Sequence, residues 1–132
     1  MKYLILAYES SAAFDARTGE DRAAYMGAWQ AYAAALKNSG HHVSGSGLEA
    51  PSTGTTVRLR GGERTVQDGP YADTKEQLGG FFIIDVPDLD VALDWAARCP
   101  AAADGVVEVR PVLGSCQETA GMADAMRSVL AK

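Results

Sequence analysis

Apolar and polar positions divide this chain into short blocks. The segment 2–8, KYLILAY, is β-prone throughout. A strand there points Tyr3, Ile5 and Ala7 one way and Leu4, Leu6 and Tyr8 the other, and both sets are apolar. Residues 9–19 are small and polar and read as a loop. Over 20–39, Tyr25, Trp29, Tyr32 and Leu36 recur at helical spacing among alanines, and Gly40 supplies the stop. A short strand and a loop follow from His41. The stretch TTVRLRGGERTVQDG then reads as a hairpin turning at Gly61-Gly62. GGFFIIDV, 79–86, is the clearest strand, with Phe81 and Ile83 on one side and Phe82 and Ile84 on the other. Asp88 caps a second helix whose expected stripe is Leu89, Ala92, Leu93 and Ala96. GVVEVRPVL closes the core, with Val107 and Val109 on one face and Glu108 and Arg110 on the other. Met122, Met126, Val129 and Leu130 predict a last helix over 118–131.

The order strand, helix, short strand or hairpin, strand, helix, strand predicts an α+β chain. It is a ferredoxin-like antiparallel sheet with two helices on one face and an inserted β-hairpin. Such a sheet has one solvated face and should alternate apolar with polar residues. The first strand and the strand at 80–86 do not. Their second apolar face needs a cover, because a large exposed apolar patch is uncommon on a monomer. We expect a homodimer with the two sheets packed face to face, a dimeric α/β-barrel. The competing cover is the helix at 118–131. The domain is expected over 1–112, with a helical extension over 113–132.

Composition narrows the class. A length of 132 residues suits one domain, and 17 acidic against 12 basic residues give a net charge of −5. That balance argues against nucleic acid and gives no attraction to an anionic membrane. The basic cluster at Arg58, Arg60 and Arg64 fits a solvated hairpin. The opening residues lack a signal-peptide cleavage pattern, and no apolar run approaches spanning length. A cytoplasmic location is expected. Cys99 and Cys116 lack metal-type or redox-type spacing. No metal ligand set and no cofactor fingerprint is present, so neither is expected.

Chemistry-bearing residues crowd at 66–76. Asp68-Gly69-Pro70-Tyr71 has turn residues at every position, and Asp73-Thr74-Lys75-Glu76 has the form of a helix N-terminus. Turn chemistry explains most of them. It does not require Asp68, Tyr71, Asp73, Lys75 and Glu76 together at the mouth of a buried strand, and loops on rigid scaffolds are where function concentrates.

MKYLILAYES, the helix-one Trp-Tyr-Leu spacing, DGPYADTKEQLGGFFIIDVPDLDVALDWA and VEVRPV together resemble the YCII-related family. The match extends over roughly 1–112 and is nearest to the branch named for an Asp-Gly-Pro-Phe motif, with Tyr71 in place of the Phe. The resemblance implies the dimeric barrel. It also implies acid–base, lyase-type chemistry on small ring compounds in some relatives, with a His–Asp pair. The relatives' helix-one histidine falls on Trp29, which cannot shuttle a proton, so His41 or His42 with Asp68 is the remaining pairing. Members of the branch are often encoded beside alternative sigma factors, which implies a regulatory or stress context.

Two functions follow. One is a small-molecule site in a dimer cleft, with Asp68, His42, His41 and Glu108 as acid–base candidates and Arg110, Tyr71 and Lys75 binding the ligand. The other is a non-catalytic module that binds a ligand or a protein. Two neighbouring histidines on a strand point to opposite faces, so at most one is expected to look inward.

Overall fold

The computed structural model describes residues 1–72 and 74–114. The helix expected over 118–131, Cys116 and Asp73 lie outside the described residues. In chain order the elements are β1 (Lys2–Ser10), α1 (Ser11–Ala16), α2 (Gly19–Ser39), β2 (His42–Gly47), a 3-10 turn (Pro51–Thr53), β3 (Thr55–Arg60), β4 (Glu63–Asp68), β5 (Glu76–Asp85), α3 (Leu89–Arg98), α4 (Ala101–Asp104) and β6 (Val106–Pro111).

Four strands form one sheet in the order β2-β5-β1-β6, with every neighbouring pair antiparallel. The chain is therefore α+β, and its central strands are the two that read as apolar on both sides. β3 and β4 pair only with each other, as a separate two-stranded sheet. Gly61 and Gly62 turn this hairpin with φ of 56° and 82°. Positive φ at both central residues suits the right-handed twist of the flanking strands, and side chains other than glycine rarely adopt it.

The helix-side face of the sheet carries the core. Tyr3, Ile5 and Ala7 of β1 and Phe82 and Ile84 of β5 pack with Tyr32 and Leu36 of α2, with Ala92 and Trp95 of α3 and with Cys99 at its C-cap. Ile5, Leu36 and Ile84 have no exposed surface, and each such burial is worth about 1.5–3 kcal/mol. The two helices share this face and are tied together. The Tyr32 hydroxyl donates to the Trp95 carbonyl at 2.7 Å, a buried bond between α2 and the last turn of α3. Asp88 caps α3 as its sequence predicts, accepting from the Val91 amide at 3.0 Å.

The register places Leu4 opposite Ile83 and Arg110, and Leu6 opposite Phe81 and Glu108. These side chains, with Tyr8, share the face away from the helices. Ser44 and Ser46 of β2 lie opposite Ile83 and Phe81. The second face thus has an apolar centre between a serine edge and a Glu–Arg edge.

Several expectations change. Residues 9–19 are not a loop: β1 runs to Ser10, whose hydroxyl caps α1 by accepting from the Ala13 amide at 3.0 Å. No helical turn forms from Thr74 to Gly79. Glu76 already pairs with Ser10 in the sheet, and the Thr74 hydroxyl donates to the Glu76 carbonyl at 2.6 Å. Gly79 and Gly80 lie inside β5, where the ladder slips by one residue opposite Ala7 and Tyr8. The inner stripe of α3 is Ala92, Trp95 and Ala96, whereas Leu89 and Leu93 are 47% and 46% exposed. The Trp95 ring takes the space beside Tyr32, at 6.1 Å between centroids, and this turns the two leucines outward.

Candidate functional site

The crowded stretch builds a cleft. Asp68 ends β4 and pairs with Thr55 across the hairpin. The Gly69 amide donates to the Gly54 carbonyl at 2.8 Å, and the Thr56 hydroxyl donates to the Gly69 carbonyl at 2.9 Å. On the far side of the turn the Gln77 side-chain amide donates to the Ala72 and Thr74 carbonyls at 2.7 and 2.8 Å. Backbone and amide bonds thus brace the Asp-Gly-Pro-Tyr segment at both ends. Between them opens a cleft of about 320 Å³, lined by Thr56, Arg58, Gln67, Asp68, Tyr71 and Gln77 among others. The Arg58 guanidinium lies over the Tyr71 ring, 4.9 Å from its centroid. Tyr71 as a whole is 72% exposed. A cation, a carboxylate, an aromatic face and a side-chain amide therefore converge in one concavity, at the small end of the range for ligand sites.

The other candidates lie elsewhere. Lys75 is exposed and does not line the cleft. His41 bonds the Asp85 carbonyl through Nδ1 at 2.9 Å and meets the Trp95 ring at 6.4 Å. His42 meets the Phe82 ring at 6.0 Å. Both histidines face aromatic residues of the helix-side core, because β2 starts at His42 and its register slips before Ser44. The alternation rule assumed a regular strand through both. Glu108 and Arg110 stand on the opposite edge strand and the opposite face of the sheet. With two strands between, that is about 14 Å from β2 at about 4.8 Å per step. Glu108 and Arg110 pair with each other at 3.8 Å, and their side chains are 47% and 68% exposed. Within one chain they are solvated, and an exposed pair of this kind is worth about 0–1 kcal/mol.

The structure reveals a second polar cluster that the pattern did not suggest. Glu9 Oε2 accepts from Arg17 Nη1 at 2.9 Å and from the Tyr25 hydroxyl at 2.7 Å. The Arg17 guanidinium also stacks on the Tyr25 ring at 3.7 Å and reaches Asp104 at 3.6 Å. Burial, then the hydrogen bond to Glu9, pushes the Tyr25 hydroxyl up to about 12. This network joins β1, α2 and α4 and fixes where α1 lies. Tyr25 read as one member of an apolar stripe, and Glu9 and Arg17 read as loop residues. Only the ladder running on to Ser10 brings the three together. Elsewhere, burial raises the Tyr32 hydroxyl and pushes the Cys99 thiol up to about 11. Among the described residues no group of three or more His, Cys, Asp or Glu side chains converges to hold a metal ion, and no helix is long and apolar enough to cross a membrane.

The YCII-related domain model matches residues 1–115. An uncharacterised protein of Rhizobium meliloti (strain 1021) is 35% identical over 114 residues, covering 85% of this chain and 92% of that protein. With the family model spanning nearly all of the described chain, and a relative similar over most of both lengths, the chain belongs to the YCII-related family.

Proposed function

We propose that this chain is a cytoplasmic homodimer of the Asp-Gly-Pro-Phe branch that binds a small planar acid in the cleft at residues 68–72. The observation that carries the reading is the convergence of Arg58, Asp68, Tyr71 and Gln77 around about 320 Å³ on a turn braced at both ends. Arg58 would take the anionic group, the Tyr71 ring would take an aromatic face, and Asp68 would accept from a hydroxyl or amine on the ligand. Asp68 is given a binding role because neither histidine stands with it. A hydroxylated ring acid is the simplest molecule with all three features.

The dimer reading rests on the second sheet face. Leu4, Leu6, Tyr8, Phe81 and Ile83 form its centre, and Ser44, Ser46, Glu108 and Arg110 form its rim. An apolar centre inside a polar rim is the anatomy of a protein interface. The strand order, with both helices on the other face, supports the ferredoxin-like reading, and two such sheets face to face would make the barrel. Pairing would also take Glu108 and Arg110, now 47% and 68% exposed, out of bulk water. The buried free thiol of Cys99 suits a reducing compartment.

The test is an amide-shift titration of the full chain with 4-hydroxybenzoate, benzoate, phenol and benzylamine. We expect saturable shifts at Gly69, Ala72 and Gln77 with the two acids, weakened about tenfold by Arg58→Ala, which corresponds to one charge-assisted contact. Shifts that map to another surface, that survive Arg58→Ala, or that are absent across all four probes would refute the assignment.

A further inference from the structure

The hairpin β3–β4 presents an apolar strip. Val57 pairs with Val66, and Leu59 pairs with Arg64. These four side chains share one face, and Val57, Leu59 and Val66 are 58%, 70% and 57% exposed. Every residue of β4, and every residue of β3 except Thr56, is exposed. A two-stranded hairpin alone is marginal in water. The hairpin also differs in charge from the rest of the molecule. It carries Arg58, Arg60 and Arg64 against Glu63 and Asp68, which leaves the body of the chain more acidic than its overall −5.

A matching surface lies on α3. Leu89 and Leu93 are exposed one turn apart, and Asp90 and Asp94 are exposed alongside them. Their spacing is commensurate with the hairpin. Residues two apart on a strand are separated by about 6.6 Å, and residues four apart on a helix by about 6 Å. Val57 and Leu59 can therefore lie over Leu89 and Leu93 in step, with Arg64 beside Asp90 or Asp94. The hairpin leaves the sheet between β2 and β5, and Val57, Leu59, Val66, Leu89 and Leu93 all remain exposed within their own chain.

We infer that the β3–β4 hairpin is a docking arm that seats on α3 of a second copy of this chain, through Val57, Leu59 and Val66 on Leu89 and Leu93 and through Arg64 on Asp90 and Asp94. Charge complementarity selects a second copy as the occupant, since the acidic stripe and the basic arm belong to the same molecule. Reciprocal exchange of arms closes a pair with twofold symmetry. The contact uses a surface other than the apolar sheet face and does not depend on the dimer proposed above.

The experiment uses the full chain with Cys116→Ser. Leu59→Cys and Leu93→Cys are made on separate chains, mixed and oxidised. The expected result is a disulfide-linked dimer in the mixture and not in either variant alone. Its yield falls about tenfold with Arg64→Asp on the first chain and recovers when Asp90→Arg and Asp94→Arg are added to the second, the size expected for one reversed charge contact. The same dimer should form when Ile83→Glu disrupts the sheet face, which separates failure of this contact from failure of the other. No cross-link in the mixture would overturn the inference, as would equal cross-linking of Leu59→Cys with itself, which means arm-to-arm pairing. A disulfide within one chain between Leu59→Cys and the native Cys116, when that residue is retained, would also overturn it, because the arm would then be covered by its own C-terminal segment.

Discussion

Tyr32→Phe isolates the bond that ties the two helices. The substitution keeps the ring and its edge contacts to Phe82 and Trp95, with centroids at 5.5 and 6.1 Å, and removes only the hydroxyl that donates to the Trp95 carbonyl at 2.7 Å. That carbonyl is in the last turn of α3, where the next amide in register is already committed: Cys99 donates to Ala96 instead, at 3.1 Å. The loss therefore leaves a buried acceptor without its partner, which costs about 1–3 kcal/mol. We take about 1.5 kcal/mol as the expected value. Unfolding entropy of about 2.1 cal/mol/K per residue over 132 residues converts this to a fall in Tm of about 5 °C. Urea unfolding followed by circular dichroism gives the free energy, and the slope against denaturant should be unchanged. A loss under about 0.5 kcal/mol would refute the reasoning, since it is the size expected for a solvated bond. Tyr32→Ala, which also empties the ring site, should cost about 3–5 kcal/mol.

Other outcomes follow from the same geometry. Gly105→Ala would drive a Cβ into the Tyr8 carbonyl oxygen, a backbone atom that cannot step aside, and we expect a loss of about 3 kcal/mol in urea unfolding. Glu9→Gln removes the anionic acceptor of Tyr25, so the tyrosinate absorbance titration should move below about 12 and stay above 10.0, because burial, the larger cause, remains. Stability should fall with rising pH in the alkaline range. Tyr25 and Cys99 keep their protons to about 12 and 11 in the folded chain against ordinary values of 10.0 and 9.0, so the unfolded chain releases them first. The contribution is whole below about pH 9 and is lost as pH rises through 12. A urea midpoint that stays level from pH 9 to 11.5 would contradict it.

The elements with strict periodicity were legible in the sequence. β1 and β5 declared themselves by apolar residues on both sides, α2 by Tyr32 and Leu36 at helical spacing, and the hairpin by Gly61-Gly62 between alternating strands. Information about the site was weaker because it depends on long-range register. The Glu9–Tyr25 bond joins residues 16 positions apart, and only the ladder between Ser10 and Glu76 places Glu9 under α2. Asp68 and Tyr71 were marked by their density, while Arg58 was read as a surface charge. Its contact with Tyr71 depends on how the hairpin folds over the turn. The histidines failed the alternation rule because the β2 register slips there, and no local residue pattern announces a bulge of that kind. The leucines of α3 do not mark its inner stripe, because burial of the larger Trp95 decides the rotation of the helix.

The central claim is that the second apolar face of the sheet is an assembly surface, and sedimentation equilibrium of the full chain tests it most directly. The account predicts that a Leu59→Glu chain, whose arm cannot seat on a second copy, is still a dimer at micromolar concentration, and that adding Ile83→Glu or Leu6→Glu to it gives single chains. Single chains for the Leu59→Glu chain, or a Leu59→Glu dimer indifferent to both face substitutions, would contradict it.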